Sequence, residues 1–310
     1  MSRYVFGVDV GGTTVKLGFF DIEGNVLDKW EIPTRTEENG SKIIPDIAES
    51  ILSKIKAKGI EKSDVVGIGM GVPGPVKVDG TVVKAVNLGW DIFNPNEELS
   101  KLVGVPAKTG NDANVAALGE MWQGGGKGHT NVVMVTLGTG VGGGIIIDGK
   151  IVTGATGAGG EIGHIHMNDD ETEVCGCKGR GCLEQYASAT GIVRLANRRL
   201  AKDDKASVLR GCELSAKAVF DAVKEGDELA IEVANQFGDY LGKGMAAIAT
   251  VVNPEIFVVG GGVSKAGDVL FDYIRPVYDR VAFYGSKNAE FALATLGNDA
   301  GIYGAAALVL

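Results

Sequence analysis

"YVFGVDVGGTTVKLGFFDIEGNVL" (4–27) reads as a strand, a glycine turn, a second strand, and a reverse turn at Glu23-Gly24 leading into a third strand. Apolar and β-branched residues fill 4–10, and Gly11-Gly12 ends the run as a turn would. "NVVMVTLGTGVGGGIIIDGKIV" (131–152) repeats that order at an offset of 127, with Thr136 under Asp9 and Gly138 under Gly11. Strand phases and turn positions match together. The chain therefore reads as an internal duplication rather than two unrelated glycine-rich hairpins.

Outward from these stretches, strands and helices alternate. Ile43, Ile47, Ile51 and Ile55 stand four apart and predict a helical face closed by Gly59. Residues 64–70 return to strand, and a strand meets a helix at Asn111-Asp112. Helices are predicted over 184–201, over 215–225, and from Asp227 to about Val252, where Asn253-Pro254 stops the chain. A strand over 255–264 opens on another glycine turn, and a small-residue helix follows at the C-terminus. The expectation is an α/β protein of two duplicated lobes, 1–115 with about 300–310 and 116–299, around a central ligand cleft.

The chain has 310 residues and a net charge of −9, which opposes a broad nucleic-acid surface. The N-terminus lacks the pattern of a secretory leader. The largely apolar run 132–147 is short of the ~18 residues that suggest a membrane span. A soluble, cytoplasmic protein with no nucleic-acid or membrane partner is expected.

"DVGGTTVK" (9–16) and "LGTGVGGG" (137–144) share a mechanism. Gly11 and Gly12 in one, and Gly138, Gly140, Gly142 and Gly143 in the other, let successive backbone N–H groups converge on phosphate oxygens. Thr13, Thr14 and Thr139 add hydroxyl donors. A strand follows each turn, so neither is a Walker A loop or a dinucleotide fingerprint. Two such turns at equivalent positions predict a clamp on the β- and γ-phosphates of a nucleotide. Asp9 would hold Mg²⁺ through water, or simply cap its turn. Gly260 and Gly261, in a third turn, would pack under the adenine.

Asn111-Asp112 stands where an Asn or Asp caps a helix. If Asn111 serves as the cap, the Asp112 carboxylate is left to act as a general base toward a hydroxyl. Three of the four cysteines, Cys175, Cys177 and Cys182, follow C-x-C-x4-C, with His164 eleven residues upstream of the first. A Cys₃His set fits a closed structural Zn²⁺ site better than a disulfide or a catalytic thiol. His164 and His166 share a strand face, so spacing leaves the choice between them open. A metal there would order Glu161 and Glu184 as acceptors for a polyhydroxylated ligand.

In order along the chain, "DVGGTT", "GVPGPV", "GNDAN", "LGTGVGGG", "EIGH" and "CGCKGRGCLE" resemble the ROK family of bacterial sugar kinases and repressors. The resemblance implies the actin-like ATPase (ribonuclease H-like) fold, ATP with Mg²⁺, structural zinc and a homodimer. It implies Asp112 as catalytic base, with Gly74, Asn87, Asn111, Glu161, His164 and Glu184 contacting the sugar. His164 matches the family histidine that also binds zinc. Two positions depart from the family pattern: Thr14 stands where Lys often follows "GGT", and Lys178 replaces a glycine after the second cysteine. "GVPGPV" and "NLGW" (87–90) resemble the glucokinase branch, so phosphorylation of glucose to glucose 6-phosphate is expected. Kinases of N-acetylmannosamine or fructose, a sugar-responsive repressor and a nucleotide-controlled scaffold are the alternatives.

Overall fold

The computed structural model describes residues 3–310. Its first sheet takes β1 (Tyr4–Val10), β2 (Thr14–Asp21), β3 (Val26–Pro33), β4 (Val65–Val72) and β5 (Ala107–Asn111), in the order β3-β2-β1-β4-β5. β2 is antiparallel to both β1 and β3, whereas β4 lies parallel to β1 and to β5. The second sheet takes β6 (Val132–Leu137), β7 (Val141–Ile147), β8 (Lys150–Ile151), β9 (Ile256–Gly260) and β10 (Glu290–Leu293). Its order is β8-β7-β6-β9-β10, the same plan strand for strand. Asp9 pairs with Gly71 of β4 as Thr136 pairs with Gly260 of β9. The duplication thus extends to the parallel strands, beyond the two stretches that announce it.

After β3 come the single turn α1 (Glu37–Gly40) and the long helix α2 (Ile43–Lys58). Ile43, Ile47, Ile51 and Ile55 of α2 are buried in one cluster with Phe6, Val8 and Leu17 of the sheet. Each fully buried isoleucine contributes roughly 1.5–3 kcal/mol relative to an exposed one. Gly59, left-handed at φ 63°, ends α2. Helix α3 (Pro95–Val103) leads to β5, and α4 (Asp112–Gln123) follows at once. Pro95 at its first position, after the Asn94 cap, is the start signal of α3, which the sequence reading lacked.

Beyond β8 run α5 (Glu184–Ala187), α6 (Ala189–Leu200), α7 (Ala216–Lys224), α8 (Glu228–Val252), α9 (Val269–Val281) and α10 (Ala300–Ala307). The single helix expected over 184–201 is broken at Ser188, which is extended at φ −77°, ψ 170°. Its hydroxyl accepts from the Gly191 N–H and so starts α6 afresh. Pro276 lies inside α9 and obscures that helix in the sequence. Among the described residues no helix is long and apolar enough to cross a membrane.

By compactness the chain forms two units. One comprises the residues up to Thr130 with Gly144–Gly160 and Leu296–Leu310; the other comprises Asn131–Gly143 with Glu161–Thr295. By this division α4 lies whole in the first unit, past the boundary expected at residue 115. The cause is α10, whose backbone packs directly on glycines. A β-carbon on Gly7, Gly69 or Gly304 would collide with the backbone of Ile302, Ala305 or Val115 respectively. Helix α10 can reach β1, β4 and α4 only because these positions carry no side chain.

Candidate active site

In the first unit the turn after β1 is held from one side. The Gly11 carbonyl accepts from the Thr34 hydroxyl at 2.7 Å, and the Thr13 carbonyl accepts from the Thr34 N–H at 2.9 Å. The Gly11 N–H donates to the Thr14 carbonyl at 3.0 Å. Consecutive N–H groups of Gly12 and Thr13 have no hydrogen-bond partner among the described residues. With its carbonyls occupied and its N–H groups unspent, the turn is a nest for an anion. Asn87 borders it, since a β-carbon on Gly12 would stand 3.7 Å from the Asn87 Cβ.

Asp9 is the penultimate residue of β1, just before that turn. Burial pushes its carboxyl above the usual range, the neighbouring Lys16 opposes the shift, and the charge of Asp112 adds to it. Lys16 itself donates to the Asn298 carbonyl at 3.2 Å. Asn111 caps α4: its Oδ1 accepts from the Asn114 N–H at 3.1 Å. Its Nδ2 donates to the Gly74 carbonyl at 3.1 Å and to Asp112 Oδ1 at 3.0 Å. The cap is thus Asn111, and the Asp112 carboxylate is oriented by Asn111 and by the Ala113 N–H at 2.8 Å. The first unit brings together Asp9, Gly12, Gly74, Asn87, Asn111 and Asp112.

The second unit repeats the nest. The Gly138 carbonyl accepts from the Ala189 N–H and the Thr139 carbonyl from the Thr190 hydroxyl, both at 2.8 Å. The N–H groups of Thr139 and Gly140 have no partner among the described residues. These are the two positions equivalent to Gly12 and Thr13 at the offset of the duplication. A hollow of about 290 Å³ adjoins the turn, lined by Thr139, Ala189, Thr190, Val193 and Ser215. The first turns of α6 and α7, capped by Ser188 and Ser215, contribute their positive ends to it. Apart from Thr139, sequence reasoning missed these lining residues; the capping serines, Ser-x-x before an apolar run, were the available signal.

The third glycine turn has a simpler explanation. Gly261 holds φ at 87°, and a β-carbon there would strike the Leu137 backbone at the end of β6. Packing requires that glycine. Gly260 is pressed by the Met134 side chain, 3.0 Å from where its β-carbon would stand.

One ligand atom each from His164, Cys175, Cys177 and Cys182 lies within 4.8 Å of the others. Cys177 Sγ and Cys182 Sγ are 3.6 Å apart, and Cys175 Sγ is 3.9 Å from His164 Nδ1. A disulfide needs ~2.05 Å. Two thiolates on one tetrahedral zinc ion stand about 3.8 Å apart. All the cysteines are free, so the donor set fits a four-coordinate ion. Burial pushes the Cys175 thiol up to about 12, so its thiolate needs a cation beside it.

His166 lies outside the cluster. Its Nε2 is 2.8 Å from Asp169 Oδ1 and its Nδ1 2.9 Å from the Arg180 carbonyl. Asp169 first, then that carbonyl, holds its pKa above the ordinary value and favours imidazolium over the neutral ring a metal requires. The other nitrogen of His164, Nε2, faces Glu161 Oε2 at 4.0 Å. Glu184 Oε1 accepts from Cys175 Sγ at 2.9 Å, and its Oε2 lies 3.4 Å from the Val141 N–H. The second unit therefore gathers Gly140, Glu161, His164 and Glu184 around the cysteine cluster.

The ROK family model matches residues 5–310. A glucokinase of Halalkalibacterium halodurans is 43% identical over 99% of this chain and 95% of its own length. The crystal structure of a ROK family glucokinase from Streptomyces griseus, in complex with glucose and AMPPNP, superposes with a TM-score of 0.70. It is 35% identical, covering 98% of each chain. A ROK hexokinase from Thermus thermophilus gives a TM-score of 0.79 at 29% identity, covering 98% of this chain and 97% of its own. With two α/β sheets of one plan, the chain has the actin-like ATPase fold and belongs to the ROK family.

Proposed function

We propose that the protein transfers the γ-phosphoryl group of ATP to the 6-hydroxyl of glucose. The observation that carries this reading is the pair of unspent N–H steps, Gly12-Thr13 and Thr139-Gly140, at equivalent positions of a duplicated fold. Oriented donors of this kind stabilise charge on a transferring phosphoryl group without reorganising. The similarity to curated glucokinases supports the choice of sugar.

Asp112 accepts the proton of the 6-hydroxyl as that oxygen bonds to the γ-phosphorus. The bond from phosphorus to the bridging oxygen breaks, and ADP leaves with the electron pair. Asn111, bonded to both Gly74 and Asp112, fixes the carboxylate. Gly74, Asn87, Asn111, Glu161, His164 and Glu184 hold sugar hydroxyls. Asp9 would hold Mg²⁺ through water; its desolvated carboxyl, next to a second negative charge, suits a divalent cation. That ion supplies charge neutralisation of the phosphates. His164, Cys175, Cys177 and Cys182 would hold a structural Zn²⁺, which would supply order alone. The family resemblance further supports a cytoplasmic homodimer, a state that analytical ultracentrifugation checks.

ADP release across a panel of glucose, fructose and N-acetylmannosamine tests the reading. The highest kcat/KM is expected for glucose, and a preference for either other sugar would overturn that part. Asp112→Asn should lower kcat about 10²–10⁴-fold while calorimetry still detects glucose binding. Retained turnover in the variant would remove Asp112 from its role.

A further inference from the structure

A cavity of about 580 Å³ lies in the first unit beside α4 and β5, and of the residues assigned above to nucleotide and sugar only Asn111 lines it. Its size falls in the range of small-molecule sites, about 300–1,000 Å³. Three lysines line it, Lys77, Lys108 and Lys150, against one carboxylate, Asp79. None of the three lysines makes an ion pair among the described residues. Asp79 is already engaged, its Oδ1 accepting from the Thr81 N–H at 2.9 Å. Leu118 supplies apolar wall.

A second, independent observation concerns Asn114, which also lines the cavity. It is only 3% exposed, yet its Oδ1 has no hydrogen-bond partner. An orphaned buried acceptor costs about 1–3 kcal/mol, and such atoms in native structures usually await a ligand or a water. In a chain of net charge −9, three lysines without an ion pair, of which only Lys77 shares the field of Asp79, beside a buried acceptor are not the average surface.

We propose that this cavity is a second ligand site, taking a hydroxylated phosphate ester of hexose phosphate size. A rotation of the Asn114 amide, whose Oδ1 is closed to solvent in this structure, lets it accept from the ester's hydroxyl, while the phosphate sits among the lysine ammonium groups and the carbon skeleton lies on Leu118. Occupancy bears on Asp112 through Asn111. Asn111 lines the cavity, caps the Asn114 N–H and orients the Asp112 carboxylate. Pulling Asn114 toward a ligand loads the hydrogen bond that sets Asn111. By linkage, the ester and the occupant of the catalytic site alter each other's affinity by one common factor. Sugar phosphates are the chemical class of the product, so the site would sense products of this or related reactions. The coupling rests on the kinase reading; the binding does not.

Equilibrium dialysis of labelled glucose 6-phosphate, with saturating glucose and a non-hydrolysable ATP analogue present, isolates this site from the catalytic one. One equivalent is expected to bind the full-length protein with a dissociation constant below about 1 mM. The double variant Lys108→Ala/Lys150→Ala should lose at least tenfold in affinity while its circular dichroism and melting temperature stay unchanged. Inorganic phosphate, as a competing probe, should bind at least tenfold more weakly than the ester. Equal binding by the double variant, or no binding up to roughly 10 mM, overturns the site. Inorganic phosphate binding as tightly as the ester overturns the hydroxyl contact to Asn114. A protein that proves to prefer another sugar would leave the lysine-dependent binding standing, so the two failures are distinguishable.

Discussion

Lys178 holds φ at 70°, in the left-handed region where a β-carbon crowds the following carbonyl at a cost of roughly 1–2 kcal/mol. Its N–H donates to the Cys175 carbonyl at 2.8 Å, closing the turn that sets Cys175 and Cys177 side by side. The family pattern carries glycine at this position, and the backbone shows why. Lys178→Gly should therefore raise stability by about 0.5–1 kcal/mol after the extra chain entropy of glycine is subtracted. Thermal melts at unchanged zinc content measure it, and a lower melting temperature would mean the lysine side chain contributes something its backbone strain conceals. At this scale the sequence shows which residue types cluster but not which atoms meet. Asn111 and Asp112 are both good caps, and His164 and His166 share a strand face. The family resemblance separates those roles by analogy, and the hydrogen bonds of Asn111 and His166 give the physical reason.

The metal loop is also held by an element-level clamp that the sequence does not display. Glu171, 5% exposed, accepts from Arg198 of α6 through both oxygens, at 2.8 and 2.9 Å, and from the Tyr186 hydroxyl of α5 at 2.7 Å. Arg198 chiefly holds the Glu171 pKa down to about 2 from an ordinary 4.5. A carboxyl depressed in the folded state stabilises it fully above the unfolded value. That contribution is lost as pH falls from about 4.5 toward 2. Because Arg198 is 39% exposed, about 2 kcal/mol is a fair discounted size. Glu171→Gln should lower the melting temperature at pH 7, and its difference from wild type should shrink below pH 4.5. A difference that persists unchanged at acid pH would assign the loss to packing instead. A second element-level test is Gly69→Ala in β4. Its methyl group meets the Ala305 backbone, which cannot rotate away, so a loss of about 1–3 kcal/mol or more is expected in denaturant titrations. Glycine at 69 reads in the sequence as strand weakness; its purpose is visible only once α10 is in place.

For the whole molecule, the duplication was legible because each copy begins with strand, glycine turn and strand, and the two sheets repeat one plan. The division into units was not. The sequence reading placed about 300–310 with the first lobe, but residues 144–160 also belong with the first unit, inside the stretch assigned to the second lobe, and no local pattern marks that return. Likewise the Cys₃His set announces itself by spacing, whereas Thr190 and Ser215 beside the second turn carry no chemical signature of their own. On the proposed function these scales are tied by linkage, since glucose held by Glu161, His164 and Glu184 would depend on the cysteine loop and its metal for its geometry. At about 100 times its dissociation constant, glucose should add about 2.7 kcal/mol of stability, which for a chain of this length is roughly a 4 °C rise in melting temperature. Removing zinc with a chelator, then the chelator by gel filtration, should cut that glucose-dependent rise by at least half, and adding zinc back should restore it. Glu171 and Arg198 hold part of the loop without metal, so the stripped protein should stay folded by circular dichroism. A stripped, folded protein with the full glucose shift would separate the cysteine cluster from sugar binding and leave it a purely architectural clasp.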